Sequence, residues 1–148
     1  MVSRWGPPTW NFFHTLAEKI NEDNFSAVFP QVVSILKQIC KNLPCPDCAN
    51  HATQFLEKVN FANIKTKSDF KNIMYFFHNT VNRRKRKTPF DMKNLELYGK
   101  NNIITAYNNF IAVYHTSGNM KLLADSFQRK IIVNQLKKWM VANIQFFI

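Results

Sequence analysis

The sequence predicts an all-α protein, namely a four-helix bundle with an additional C-terminal helical region. Apolar residues recur at three- and four-residue spacing in four successive segments, and short loops separate these segments. Two further helix-patterned stretches follow. A chain of 148 residues with 46% hydrophobic content is long enough to bury a core. We expect the bundle in residues 1–90 and the additional helices, packed on the bundle or forming an oligomer interface, in residues 91–148.

The first two helices follow from apolar periodicity. The first runs from Pro8 to about Asn21, and its apolar stripe consists of Trp10, Phe13, Ala17 and Ile20. His14 lies on the same stripe, one turn after Trp10. The second runs from Ala27 to about Lys41, and Pro44 then ends it because proline cannot continue a helix.

The next two helices have start signals as well as periodicity. The third is predicted from Pro46, which fits a first helical turn, to Val59. The fourth is predicted to be capped by Ser68 and to extend towards Arg84. His78 and Asn82 lie four apart on one side of this fourth helix, and polar groups there need partners.

Beyond Pro89 the pattern predicts helices from Leu95 to Tyr114 and from Leu122 to Ile148. A turn is predicted between them, at Ser117, Gly118 and Asn119.

The segment Leu43 to His51 carries the strongest chemical signal, because Cys45 and Cys48 form a Cys-x-x-Cys pair at the start of a predicted helix. Unpaired N–H groups and the helix dipole favour the thiolate there, so Cys45 is the expected nucleophile. Asp47 adds a negative charge that opposes this effect. The pair predicts either redox chemistry or metal binding.

Metal binding is the alternative function. Four residues make a plausible Cys3His set for structural zinc, in a basic module that binds nucleic acid or protein: Cys40, Cys45, Cys48 and His51. If the site is redox-active instead, Cys40 is expected to be a small buried hydrophobic residue.

Composition narrows the function classes further. The three glycines form neither a dinucleotide fingerprint nor a P-loop, and no apolar run has the length of a membrane span. The N-terminal residues lack the apolar core of a signal peptide, so a soluble, non-secreted protein is expected.

Five consecutive cations, Arg83 to Lys87, contribute to the net charge of +11. We favour a solvated helix end, with one cation contacting a cofactor phosphate, over a nucleic-acid patch.

Three motifs occur in order over about eighty residues. The first is Trp5-Gly6-Pro7-Pro8-Thr9-Trp10 with His14, the second is Cys45-Pro46-Asp47-Cys48 with His51, and the third is His78-Asn79 with Val81-Asn82. Lys87, Pro89 and Phe90 then stand in the place of a Lys-Pro-x-Phe motif. With these motifs the chain resembles the Erv/ALR sulfhydryl oxidases, and it is most similar to those of large cytoplasmic DNA viruses. The resemblance covers roughly residues 4–90.

The resemblance implies an FAD-binding helical bundle. It implies that Cys45 and Cys48 form the redox-active disulfide, with Cys48 nearer the flavin. It implies that the flavin is lined by Gly6, Trp10, His14 and His51. It implies that the adenosine half is held by His78, Asn79, Val81 and Asn82, with Lys87 near the phosphates.

The resemblance also implies the reaction and its partners. Cys45 would exchange with a dithiol protein, a thioredoxin-like or viral redox carrier, and O2 would be reduced to H2O2. The chain lacks the second structural pair and the shuttle pair of many cellular members, so electrons would enter from a separate protein. A homodimer is expected, for which exposed apolar residues of the first two helices are candidates, and the expected location is the host cytoplasm at virus factories, with the virion as a second location.

Overall fold

The computed structural model describes residues 4–115 and 123–148, which form helices and connecting loops with no strand among them. The α-helices are α1 (Gly6–Lys19), α2 (Phe25–Lys41), α3 (Pro46–Lys58), α4 (Lys67–Arg84), α5 (Ile103–Tyr114) and α6 (Leu123–Asn143). Short 3-10 helices cover Glu22–Asn24, Phe61–Asn63, Met92–Lys100 and Ile144–Phe146. The predicted all-α fold is confirmed.

The start of α4 differs from the prediction. Its cap is Thr66 rather than Ser68, which lies inside the first turn. The Thr66 hydroxyl accepts a hydrogen bond from the Asp69 backbone N–H (3.1 Å), and the Asp69 carboxylate accepts one from the Thr66 N–H (3.2 Å). This reciprocal capping box satisfies two backbone donors. With a cap at Ser68, Asp69 would not be three residues after the cap and could not form the box.

The predicted helix from Leu95 to Tyr114 is also wrong as a single element. A 3-10 helix ends at Lys100, and α5 begins anew after Asn102, whose side chain accepts a hydrogen bond from the Ile104 N–H (2.8 Å). An asparagine side chain competes for backbone donors in this way, so it starts a helix more readily than it continues one.

The last helix is shorter than predicted, since α6 ends at Asn143 and a 3-10 turn follows it. The predicted turn at Ser117, Gly118 and Asn119 lies outside the described residues, as does Leu122.

Both predicted regions of the chain contribute to one hydrophobic core. Phe110 of α5 is fully buried and stacks on Phe12 of α1, with ring centroids 5.0 Å apart. The Trp139 indole of α6 donates a hydrogen bond to Gln31 of α2 (2.8 Å). The additional C-terminal helices therefore pack on the bundle, with α1 contacting both α4 and α5.

The first two helices carry less exposed apolar surface than the expected dimer interface assumed. Their large apolar side chains are buried or half-buried, because α1 and α2 supply much of the core. The exposed large apolar residues of the described chain lie elsewhere, for example Phe76 on α4 and Phe127 on α6. In this part of the chain, no helix has the length and apolar character needed to cross a bilayer.

Candidate functional site

A cavity of about 690 Å³ lies where α1, the end of α2, α3 and α4 meet. Its volume falls within the range of small-molecule and cofactor sites. The cavity joins Cys48 to an aromatic wall and a cationic rim. The residues that carry the argument are Trp10, Cys48, His78, Arg84, Lys85 and Tyr98.

The aromatic wall is a set of closely stacked rings from α1, α4, the loop after α4 and the 3-10 helix Met92–Lys100. The Trp10 and His78 rings lie 4.2 Å apart between centroids with planes inclined by 9°. Phe90 stacks on His78 at 4.5 Å, and Tyr98 stacks on His14 at 4.8 Å. These rings present a flat surface, which suits another flat ring system.

Two histidines share one hydrogen bond within this wall. His14 Nε2 and His78 Nδ1 are 2.8 Å apart, so one nitrogen donates and the other accepts. Burial, followed by the charge of His78, lowers the pKa of His14 to about 3. Burial, followed by the charge of Lys87, lowers the pKa of His78 to about 4. Both imidazoles are therefore neutral at pH 7, and they add no charge to the wall.

The cationic rim is formed where α4 ends. The N–H of Lys87 donates to the Asn82 carbonyl (2.8 Å) and the N–H of Arg86 donates to the Arg83 carbonyl (3.1 Å), which together make a Schellman motif. Arg86 occupies its left-handed position, with φ of 57°, where glycine is usual. This turn directs the cations Arg84 to Lys87 to the cavity. The prediction that the basic run ends a helix is confirmed.

Two asparagines predicted to bind ligand have partners in the protein. Asn79 accepts a hydrogen bond from the Phe90 N–H (2.7 Å) and donates one to the Phe90 carbonyl (3.1 Å). Asn82 donates to the Thr88 carbonyl (3.3 Å). These bonds hold the segment after α4 against the helix, and so they place Phe90 in the aromatic wall.

The cysteine pair lies at the start of α3. Cys45 caps the helix, and its sulfur accepts a hydrogen bond from the Cys48 N–H (3.2 Å). Both residues are half-buried free thiols, and Cys48 lines the cavity whereas Cys45 is not among the lining residues. Burial and a hydrogen bond to Cys45 raise the pKa of Cys48, and Lys85 and Arg84 act in the opposite direction.

The structure brings most of the predicted site residues together. Gly6, Trp10, Cys48, His78, Val81, Asn82 and Lys87 line the cavity. His14 contacts it through His78. Asn79 lines a smaller adjoining hollow. His51 is exposed and lies 3.5 Å from the Asp47 carboxylate, outside the lining.

The third cysteine does not belong to a metal site. Cys40 is fully buried, as predicted, and burial raises its pKa to about 12, so it remains a thiol. In residues 4–115 and 123–148, no three His, Cys, Asp or Glu side chains are grouped so that they could hold a metal ion. The alternative zinc set of Cys40, Cys45, Cys48 and His51 is therefore not assembled.

Sequence reasoning missed Tyr98 as a site residue, and it treated Arg84 and Lys85 only as members of a charged run. Tyr98 lies in a 3-10 helix beyond the matched motifs, so no spacing rule connects it to His14. Arg84 could have been predicted as a site residue from its position at the end of α4, because other residues of that helix were already predicted to bind a ligand.

Comparisons with known proteins point to one family. The Erv1 / Alr family matches residues 7–102. An African swine fever virus protein named FAD-linked sulfhydryl oxidase is 33% identical over 84 residues, which are 56% of this chain and 69% of that protein. A putative FAD-linked sulfhydryl oxidase of Invertebrate iridescent virus 6 is 27% identical over 86 residues, 54% of this chain and 78% of that protein.

A plant relative is matched over less of its length. The Arabidopsis thaliana protein named FAD-linked sulfhydryl oxidase ERV1 is 30% identical over 91 residues, 62% of this chain and 47% of that protein. The chain thus spans about half of the plant relative and a larger share of the viral ones. No solved structure gives a significant match.

Proposed function

Because this chain belongs to the Erv1/Alr family, we propose that it is an FAD-linked thiol oxidase that forms disulfide bonds in partner proteins. The observation that carries the proposal is the cavity in which Cys48, a flat aromatic wall and a cationic rim meet. The names of the relatives support FAD as the cofactor.

The residues of the cavity fit such a cofactor. The stacked rings of Trp10 and His78 suit a flat heterocycle, and Lys87 with its neighbouring cations suits a pyrophosphate. When bound, FAD would take up the electron pair from the cysteines and pass it to O2, giving H2O2. Gly6 and Val81 would complete the binding surface without charge.

The cysteines carry the exchange chemistry. A substrate thiolate attacks Cys45 of the Cys45–Cys48 disulfide, so that a substrate–Cys45 bond forms and the electron pair of the broken bond leaves on Cys48. The second substrate thiol then displaces Cys45, which leaves the substrate oxidised and both cysteines reduced. The placement of Cys48 on the cavity and of Cys45 outside its lining supports this order.

The hydrogen-bond pattern supports the same assignment. At the start of α3 the Cys45 sulfur accepts the Cys48 N–H, which suits a sulfur that carries negative charge between exchange steps.

The substrate is inferred to be a separate dithiol protein, a thioredoxin-like or viral redox carrier. The only other cysteine, Cys40, is fully buried, so it cannot exchange with a thiol of a second protein. The viral relatives support a viral protein that acts in the host cytoplasm. A homodimer remains part of the proposal.

The first experiment is a visible absorption spectrum of the purified protein, with zinc analysis of the same sample. A flavin spectrum that dithiothreitol bleaches without air, and that oxygen restores, is the expected result. In a Cys48→Ser control, flavin should remain bound but should no longer be reduced at the wild-type rate. A colourless protein that carries stoichiometric zinc would refute the proposal.

A further inference from the structure

The last residue of α4 is tied to the first turn of α3. Arg84 Nη1 lies 3.1 Å from Asp47 Oδ2, and Asp47 lies between the two cysteines in the chain. The Arg84 side chain is 27% exposed and the Asp47 side chain 73%, so the guanidinium is the inner member of the pair. The ion pair therefore holds a positive charge beside the Cys-x-x-Cys turn.

A second cation occupies the same region. Lys85 Nζ lies 5.6 Å from the centre of the Trp5 ring, which restricts where this flexible side chain can point. Arg84, Lys85 and Cys48 all line one cavity. Arg84 Nε is buried and has no hydrogen-bond partner among the described residues, so the guanidinium retains an unused donor there.

We propose that Arg84 and Lys85 stabilise Cys48 as the leaving thiolate when a substrate opens the Cys45–Cys48 disulfide, and that Asp47 is a positioning residue for Arg84. This inference rests on the proposed thiol-oxidase function. In the step concerned, the substrate sulfur bonds to Cys45, the Cys45–Cys48 bond breaks, and Cys48 receives the electron pair. A leaving thiolate that is better stabilised departs faster.

The charges around Cys48 make this stabilisation depend on the state of Cys45. In the dithiol, burial raises the pKa of Cys48 most, a hydrogen bond to Cys45 and its charge raise it further, and Lys85 and Arg84 lower it. When Cys45 is bonded to substrate, its sulfur carries no charge, so that contribution disappears. The two cations then act against burial alone, and Asp47 is partly neutralised by Arg84.

The test measures Cys48 itself and needs no flavin turnover. In a Cys45→Ser background, where serine retains the helix cap, the rate of iodoacetamide alkylation of Cys48 is followed against pH by peptide mass spectrometry. Arg84→Gln and Lys85→Gln are each added to this background. Arg83→Gln is the matched control, because Arg83 is an exposed neighbour that does not line the main cavity.

We expect Arg84→Gln and Lys85→Gln each to move the alkylation midpoint up by about one pH unit, which is a roughly tenfold loss of rate at pH 7. Arg83→Gln should leave the midpoint in place, and Arg84→Lys should restore part of the loss because it keeps the charge. Equal midpoints in the Arg84→Gln, Lys85→Gln and Arg83→Gln proteins would overturn the inference.

The failure of this inference is distinguishable from the failure of the proposed function. Suppose that the protein binds flavin and oxidises dithiols, but that neither Arg84→Gln nor Lys85→Gln moves the alkylation midpoint of Cys48. That result refutes only the role of Arg84 and Lys85. A colourless protein refutes the oxidase proposal whatever the midpoints are. Circular dichroism of each variant shows that a shifted midpoint comes from a folded chain.

Discussion

The Trp10 indole and the His78 imidazole lie face to face, with centroids 4.2 Å apart and planes inclined by only 9°. The two residues belong to different helices, α1 and α4, so this contact sets how the helices meet at the cavity. The imidazole is neutral because burial lowers its pKa to about 4. The two rings therefore form one continuous flat face between α1 and α4, which suits a flat heterocycle.

Trp10→Ala should lower flavin retention strongly, because it removes one face of the stacked wall. We expect the flavin dissociation constant to rise about five- to thirtyfold, in line with the loss of about one to two kcal/mol of aromatic contact, and the ratio of flavin to protein absorbance after gel filtration to fall. Trp139→Ala is the control, since Trp139 lies on α6 and bonds to Gln31 instead. Equal retention in the two variants would show that the wall does not bind the flavin.

Stability should fall as the pH is lowered from about 6.5, because His14 is buried in the neutral form and its pKa is lowered to about 3. Between these pH values the unfolded chain binds a proton that the folded chain does not, at a cost of about 1.4 kcal/mol per pH unit. Above pH 6.5 neither state is protonated at this site, and the contribution to stability is fully present.

Urea unfolding at several pH values checks this prediction. The His14 ring contacts His78, Phe90 and Tyr98. His14→Gln should flatten the acid limb of the stability curve, whereas the exposed His51→Gln should leave its slope almost unchanged. If His14→Gln does not change the slope of stability against pH, the acid sensitivity comes from other groups.

The two active-site cysteines should differ when they are trapped with a substrate. Cys48→Ser leaves the Cys45 thiol with no internal partner. When Cys45 attacks the disulfide form of the substrate, a mixed disulfide forms on Cys45 and the other substrate sulfur leaves as a thiol, so the mixed disulfide should accumulate because Cys48 is not there to resolve it. Cys45→Ser should accumulate little, because Cys48 lines the cavity, where the flavin rather than a protein thiol would meet it. Non-reducing mass spectrometry measures both, and trapping mainly on Cys48 would reverse the assigned order of exchange.

Arg86 should be a site of stored backbone strain, because its φ of 57° is left-handed and costs a residue with a Cβ about 1–2 kcal/mol. Arg86→Gly removes this cost, but glycine also gives the unfolded chain more conformational entropy, which lowers stability. The net effect that we expect is a rise of about 0.5–1 kcal/mol in the free energy of unfolding. Arg86→Ala is the matched control, since it loses the same charge and keeps the strain. If the Gly variant is no more stable than the Ala variant, the turn is not strained.

Local signals explain which features of the fold were predictable. The start of α3 was predicted from Pro46, since a first-turn proline acts within one helical turn, and the structure adds Cys45 as its cap. The cap of α4 was missed because Thr66 and Ser68 are both acceptable caps. Only Asp69, three residues after Thr66, decides between them.

Contacts between distant segments were harder to predict from the sequence. The motifs marked His14 and His78 separately, but nothing in their spacing predicts the hydrogen bond that joins them. The stacking of Tyr98 on His14 depends on how the 3-10 helix returns to α1, which Asn101 fixes by donating to Asn11 (2.8 Å) and Thr15 (3.1 Å). Such tertiary contacts override local pattern, and only the structure shows them.

The helices after residue 90 should be required for stability of the bundle that holds the site. Phe110 of α5 is fully buried between Phe12 and Tyr114, with stacked ring centroids at 5.0 and 4.9 Å. Phe110→Ala should therefore lower the free energy of unfolding by about 3–5 kcal/mol, through lost burial and the cavity that remains.

Phe127→Ala is the matched control, because Phe127 is 67% exposed on α6 and its loss should change stability by at most about 0.5 kcal/mol. Urea denaturation followed by circular dichroism measures both variants. A chain cut after residue 90 should fail to fold, since Phe12 and Phe13 would lose their cover from α5. If the cut chain instead unfolds cooperatively and retains flavin, residues 1–90 form an independent domain and the packing of α5 on α1 is dispensable.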